Sequence, residues 1–279
     1  MPIHDQSYRR YKGGRAALGR SWLVIARAGI LSMVAKRPFL GLLFVAWFQF
    51  IGRVAQIYFT TNFPQAAMFA PTAETFREFL DVQATFVFIM AVYIGAGLIA
   101  NDRRANALQI YLSKPLLRSE YIAGKAAVLF VFLMLVTWVP AILLLLVQIL
   151  FAGNFEFLQK NLFLFPAITV ASLLQVLLAT FTMLALSSLS KSSRYVAILY
   201  AGITLFTFAI FGVLYGITGS SSMSWISPTA SITNVTDVLF RQPQTYATPW
   251  QVSLIVILGL IVVSISVLER RVRGVEVVT

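Results

Sequence analysis

A chain of 279 residues that is 59% hydrophobic and 11% charged, with a mean hydropathy of +0.82, carries more apolar surface than a soluble domain can hide, so lipid is its expected solvent. Its formal charge of +12 is scattered between apolar runs rather than gathered into one patch with interleaved aromatics, which argues against a nucleic-acid partner. Cysteine is absent and His4 is the sole histidine, so disulfides, thiolate metal sites and cysteine nucleophiles are excluded.

The amino terminus is polar and basic through Arg20 and lacks the apolar core and small-residue cleavage site of a signal peptide. It is expected to be retained, with the first span directing insertion. Residues 16–35 then read as a helix with Arg20 and Arg27 on one side and Leu18, Trp22, Ile25 and Met33 toward the other, suited to lying along the membrane interface. It is either a plain anchor or a docking surface. Lys36-Arg37-Pro38 turns the chain into the membrane.

Apolar runs long enough to span follow at about 39–59, 82–100, 122–151, 162–186, 196–217 and 250–268. This predicts an all-α membrane protein with a cytoplasmic amino-terminal segment at 1–37, a six-span domain at 38–268 and a cytoplasmic tail at 269–279. In the first run, Arg53 lies within the last two turns, to snorkel to headgroups or to touch a substrate or partner. Glu74, Arg77, Glu78 and Asp81, at near-helical spacing before the second run, read as a solvated face. The third run exceeds the hydrocarbon thickness and contains Pro140, which predicts a kink there, structural or a gating hinge. Gly212 and Gly216 share one face of the fifth run and would let another helix approach. The outer loop at 218–249 opens with Gly219-Ser220-Ser221-Ser222 and turns apolar through Trp225, Ile226, Val235, Val238, Leu239 and Phe240, so it need not be fully solvated.

Of the 22 basic residues, only Arg53, Arg77, Lys160 and Arg241 fall on the side away from the termini. By the positive-inside rule both termini, the loop at 101–121 and the loop near Lys191 are cytoplasmic, and the high pI is a topology signal that also attracts anionic lipid.

The most informative stretch joins the second and third runs. It reads Gly95-Ala96-Gly97-Leu98-Ile99-Ala100-Asn101-Asp102-Arg103-Arg104, then Ala105, Leu108 and Leu112 at helical spacing, Tyr111 between them, and Pro115 as a stop. A short amphipathic helix on the cytoplasmic side needs lipid or a partner protein to cover its stripe. An apolar span ending in Gly and Ile, an acidic-Arg pair, a Leu-rich short helix, Ser113-x-Pro115-x-x-Arg118 and Gly124-Lys125 together resemble the membrane subunit of type-2 ABC exporters. Arg37-Pro38 and Ile226-Ser227-Pro228 extend the likeness over nearly the whole chain. Asn106 and Ala107 depart from that family's common Gly-Thr. The resemblance implies that this loop is a coupling helix docking on a separate ATPase subunit, with Asp102, Arg103, Arg104, Leu108, Tyr111, Leu112, Pro115 and Arg118 as partner-binding residues. It further implies a dimer with a second copy or a homologous permease, and an outer loop at 218–249 folded into short helices that dip back into the outer leaflet, shielded by protein, rather than lying as a surface loop.

The residues themselves agree with a subunit powered from outside. Gly124-Lys125 has Ser119 where a phosphate loop has its first glycine and Ala126 where it has a hydroxyl residue. No run holds a carboxylate near its middle, as ion-coupled carriers usually do, and no paired acids, His-Glu metal motif or Gly-x-Ser-x-Gly elbow marks an enzyme. The chain is therefore expected to be no enzyme and to need no cofactor, ATP and Mg belonging to the partner subunit. The readings are a permease of an ABC exporter in a prokaryotic inner membrane, a non-transport scaffold or lipid-modulating subunit of the same architecture, or a membrane enzyme acting on lipid.

Overall fold

Apolar surroundings offer backbone N–H and C=O groups no water, so runs that cross them must close their own hydrogen bonds as helices. A computed structural model describes residues 21–107, 117–152 and 161–272, and its regular elements there are all helical. Six segments are long and apolar enough to cross a membrane. The first span is α2 (Arg37–Asn62), led by α1 (Ser21–Val34) and followed by a 3₁₀ turn at Pro64–Phe69. The second is α3 (Ala73–Met90), which runs through a π-turn (Ala91–Gly95) into the short α4 (Ala100–Arg104). The third is α5 (Arg118–Val136) and α6 (Trp138–Ala152), the fourth α7 (Leu164–Leu189) and the fifth α8 (Ser193–Thr218). After a 3₁₀ turn at Ser221–Ile226 come α9 (Pro228–Leu239) and the sixth span, α10 (Trp250–Arg271).

The expected kink is present: α5 and α6 part at Thr137, whose hydroxyl donates to the Leu133 carbonyl at 2.9 Å. Pro140 cannot donate to the carbonyl of Val136, so the break falls one turn ahead of the proline. The second span starts nine residues before position 82, because the charges that mark 74–81 as a solvated face are partly paired and the helix continues through them. Arg53 reaches Glu78 at 3.0 Å, and Arg77 reaches Asp237 at 2.8 Å.

α1 crosses α5 closely. A Cβ on Gly124 would lie 2.8 Å from Ile25 Cβ and 3.0 Å from the Trp22 carbonyl oxygen, and one on Gly29 would meet Val128 at 2.5 Å. Over the described residues Ile25, Ala26 and Met33 are turned toward the bundle and Arg27 stands exposed away from them, in a stripe with Leu23, Leu31 and Val34.

Two large apolar cores are stacked along the bundle, and a smaller third cluster of Leu178, Val235, Ile257 and Ile261 joins the fourth span, α9 and the sixth span. One large core holds Phe39, Met90, Ile94, Tyr121, Leu129 and Met183, and the other Ile57, Phe76, Phe79, Leu144, Leu164 and Phe240. In the second, third and fourth spans the passage between them falls at Gln83, Thr137 and Ser172, all fully buried. Gln83 donates to the Ala46 carbonyl of the first span at 3.1 Å. The fourth span is 56% buried over its most apolar stretch, whereas the first and fifth are 11% and 17% buried, so their faces are left to lipid or to another chain. Gly212 and Gly216 have no atom within 4 Å of an added Cβ, so none of the described helices uses that face.

The segment between α8 and α10 is packed among the spans. Ser227 caps α9 by accepting from the Ala230 N–H at 3.3 Å, with Pro228 at the first helical position, where its missing N–H costs nothing. Asn234 donates to the Thr248 carbonyl at 2.6 Å and Ser224 to the Thr248 hydroxyl at 2.7 Å, which folds the return strand of chain back onto the helix.

Candidate functional site at the root of the α4–α5 loop

The second span loses regular hydrogen bonding between its π-turn and α4, and a residue of another span restores it. Ser187 of α7 accepts from the backbone N–H groups of Ile99 and Ala100 at 3.2 and 3.0 Å and donates to the Ala96 carbonyl at 3.0 Å. All three groups are otherwise orphaned by the break, and an unmade buried bond is expensive. Gly95 permits the approach: a Cβ there would lie 2.4 Å from Met183 Cγ and 3.0 Å from Leu129.

α4 then carries the acidic-basic pair into contact with both neighbouring spans. Asp102 Oδ2 receives the Tyr121 hydroxyl at 2.8 Å and lies 2.7 Å from Lys125 Nζ, with the two charged side chains 19% and 14% exposed. Tyr121 and Lys125 are one turn apart on α5, so one carboxylate binds one helical face, and the ammonium also sits 5.6 Å from the Tyr121 ring centre. Arg103 donates to the Ser188 carbonyl at the end of α7. α5 opens with Glu120, which accepts from the Leu117 N–H at 3.1 Å and places an acid where the helix end favours one. The second, third and fourth spans are thus tied together at the mouth of the loop.

Of the expected docking residues, Asp102 and Arg103 lie inside this joint. Arg104 is exposed beside it, and Arg118 is exposed at the start of α5, lining a crevice of about 540 Å³ with Glu269 and Arg270. Leu108, Tyr111, Leu112 and Pro115 lie outside the described residues. Sequence reasoning passed over Ser187, Ser188 and Tyr121. A serine pair closing a long apolar run, and a Tyr and Lys four apart after an acid-bearing loop, were the available signals.

At the opposite end, Asp237 is almost wholly buried; it receives Arg77 Nε at 2.8 Å and the Thr245 N–H at 2.8 Å, and Arg77 reaches Asp81 at 3.9 Å. This pair fastens α9 to the second span. Among the described residues no group of three or more His, Asp or Glu could hold a metal ion. Compared with known families, residues 21–271 match the model for an ABC-2 family transporter protein. The comparison with curated proteins finds no match.

Proposed function

The chain belongs to the ABC-2 family of transporter proteins, and from that premise we propose that it is the permease of an ABC exporter whose loop at 101–121 docks on a separate ATPase subunit. ATP and Mg are held by that subunit, a second permease copy or a homologue completes the membrane part, and both termini face the cytoplasm. The observation that carries the reading is the joint at Asp102. A loop rooted by Asp102 to Tyr121 and Lys125, and by Arg103 to Ser188, cannot be pushed without moving three spans together. Such a joint suits a subunit driven from outside and supports the permease over a non-transport scaffold or lipid-modulating subunit of the same architecture.

Replacing Leu108 and Leu112 with Asp places charge in the apolar stripe and weakens docking by several kcal/mol, enough to dissociate a moderate complex. Topology is unchanged, because the basic residues stay in place. The expected result is a correctly inserted protein that no longer co-purifies with its ATPase. Full retention of the ATPase by the double variant would move the docking surface elsewhere.

A further inference from the structure

A groove of about 370 Å³ runs along α7 between α8 and α10. Its floor is Leu178, Ala179, Thr182 and Leu186; Ile203 and Val263 form its edges and are exposed. From Gln175 to Leu189 it follows fourteen residues of helix, about 21 Å at 1.5 Å per residue, which is most of a 30 Å hydrocarbon core. The wall is mostly apolar, with Thr182, Tyr200, Thr204, Thr229 and Ser264 as its hydroxyls and Gln175 as its amide.

The two ends differ. Toward α9 the groove narrows at Thr229 and Ile232 into a cleft of only about 30 Å³ beside Arg77 and Asp81. That is roughly the room of one water. α9 stops this end, and the Arg77–Asp237 pair holds α9 in place. Toward the coupling loop the groove ends at Leu189 and Val267. Lys191 follows Leu189 by two positions and Arg271 follows Val267 by four, one turn further on the same face, both exposed, whereas Arg270 lines the crevice against α5. A long apolar slot, open along its side at membrane depth, blocked at one end and basic at the other, is complementary to one kind of molecule.

We propose that this groove is a binding site for an anionic amphiphile, its acyl chain lying between α8 and α10 and its phosphate or carboxylate head at Lys191 and Arg271. The amphiphile enters sideways from the leaflet on the coupling-loop side, and release toward the other side requires α9 to withdraw. The assignment rests on the permease reading for its direction of transport; the binding site itself does not.

The test uses the full chain with its ATPase in lipid nanodiscs, doped with photoreactive phosphatidylglycerol or photoreactive phosphatidylcholine. The anionic probe is expected to label α7, α8 and α10 along the groove. Ala179→Trp, which fills the floor, and Val263→Trp, at the exposed edge where folding is safe, should each cut that labelling about tenfold. Gly212→Trp, in open space, should leave it unchanged. Lys191→Gln with Arg271→Gln should lower anionic labelling about five- to tenfold and spare the zwitterionic probe. Labelling spread evenly over the lipid-facing spans overturns the proposal. So does a disulfide between two copies of Ile203→Cys, which would mean that a second chain covers the groove. Co-purification of the ATPase, read in the same preparations, reports on the permease reading alone.

Discussion

Arg77 and Asp237 stand 160 positions apart in the chain and 2.8 Å apart in space. Their side chains are 18% and 2% exposed, so the pair is shielded from water and its attraction is little screened.

Asp237→Ala leaves Arg77 without its main partner and frees the Thr245 amide. Truncating one member of a buried pair costs about 3–5 kcal/mol, so thermal unfolding in detergent should begin at markedly lower temperature. A cysteine at the buried Ser231 should also become reactive in that background. An unchanged melting curve and a protected Ser231→Cys would show that α9 is held by apolar packing alone.

Ser187→Ala removes the acceptor shared by Ile99 and Ala100 and the donor to Ala96. Two buried amides are then unmet, at about 1–3 kcal/mol each before relaxation. Hydrogen exchange at Ile99 and Ala100 should accelerate while exchange in the middle of α7 stays slow. Equal protection in both proteins would mean that the break in the second span needs no outside support.

Tyr246 lies between α9 and α10, its ring edge-on to Phe211 at 5.1 Å. Burial raises its hydroxyl above the ordinary value of 10.0; the Asp81 and Asp237 carboxylates add to this and Arg77 opposes it. The fold therefore favours the protonated form. That stability is full below about pH 10 and is lost as pH rises through the folded value. In an absorbance titration Tyr246→Phe should remove a late-titrating tyrosine, and its stability should fall less steeply above pH 10 than that of the parent. Superimposable alkaline curves would refute the assignment.

The topology can be read with single cysteines, since the chain has none of its own. A membrane-impermeant reagent applied to intact cells should label Ser222→Cys and spare Arg104→Cys, both exposed positions. The opposite pattern would invert every span.

Much of this architecture was legible because its causes are local. Twenty apolar residues in lipid have little choice but to form a helix, and Pro140 announces a break by what it lacks. The pairs that matter most were illegible for the converse reason. Nothing near Arg77 in sequence points to Asp237, and the Ser187 hydroxyl has value only because a turn of the second span is broken beside it. Charges at 74–81 read as a wet surface when their partners lie far along the chain. Asp102, Arg103 and Lys125 stood out through a shared pattern, but their use of Tyr121 and Ser188 depends on how three spans converge.

The buried layer of Gln83, Thr137 and Ser172 gives the bundle two storeys. Side chains interlock within each core, but at the layer Gln83 holds the Ala46 carbonyl, Thr137 bonds within its own helix and the Ser172 hydroxyl has no partner among the described residues, so few groups join the two cores there. The fourth span runs unbroken through the layer, whereas the third is divided at it. The interrupted helix at Thr137 is the place where the third span can give without unwinding.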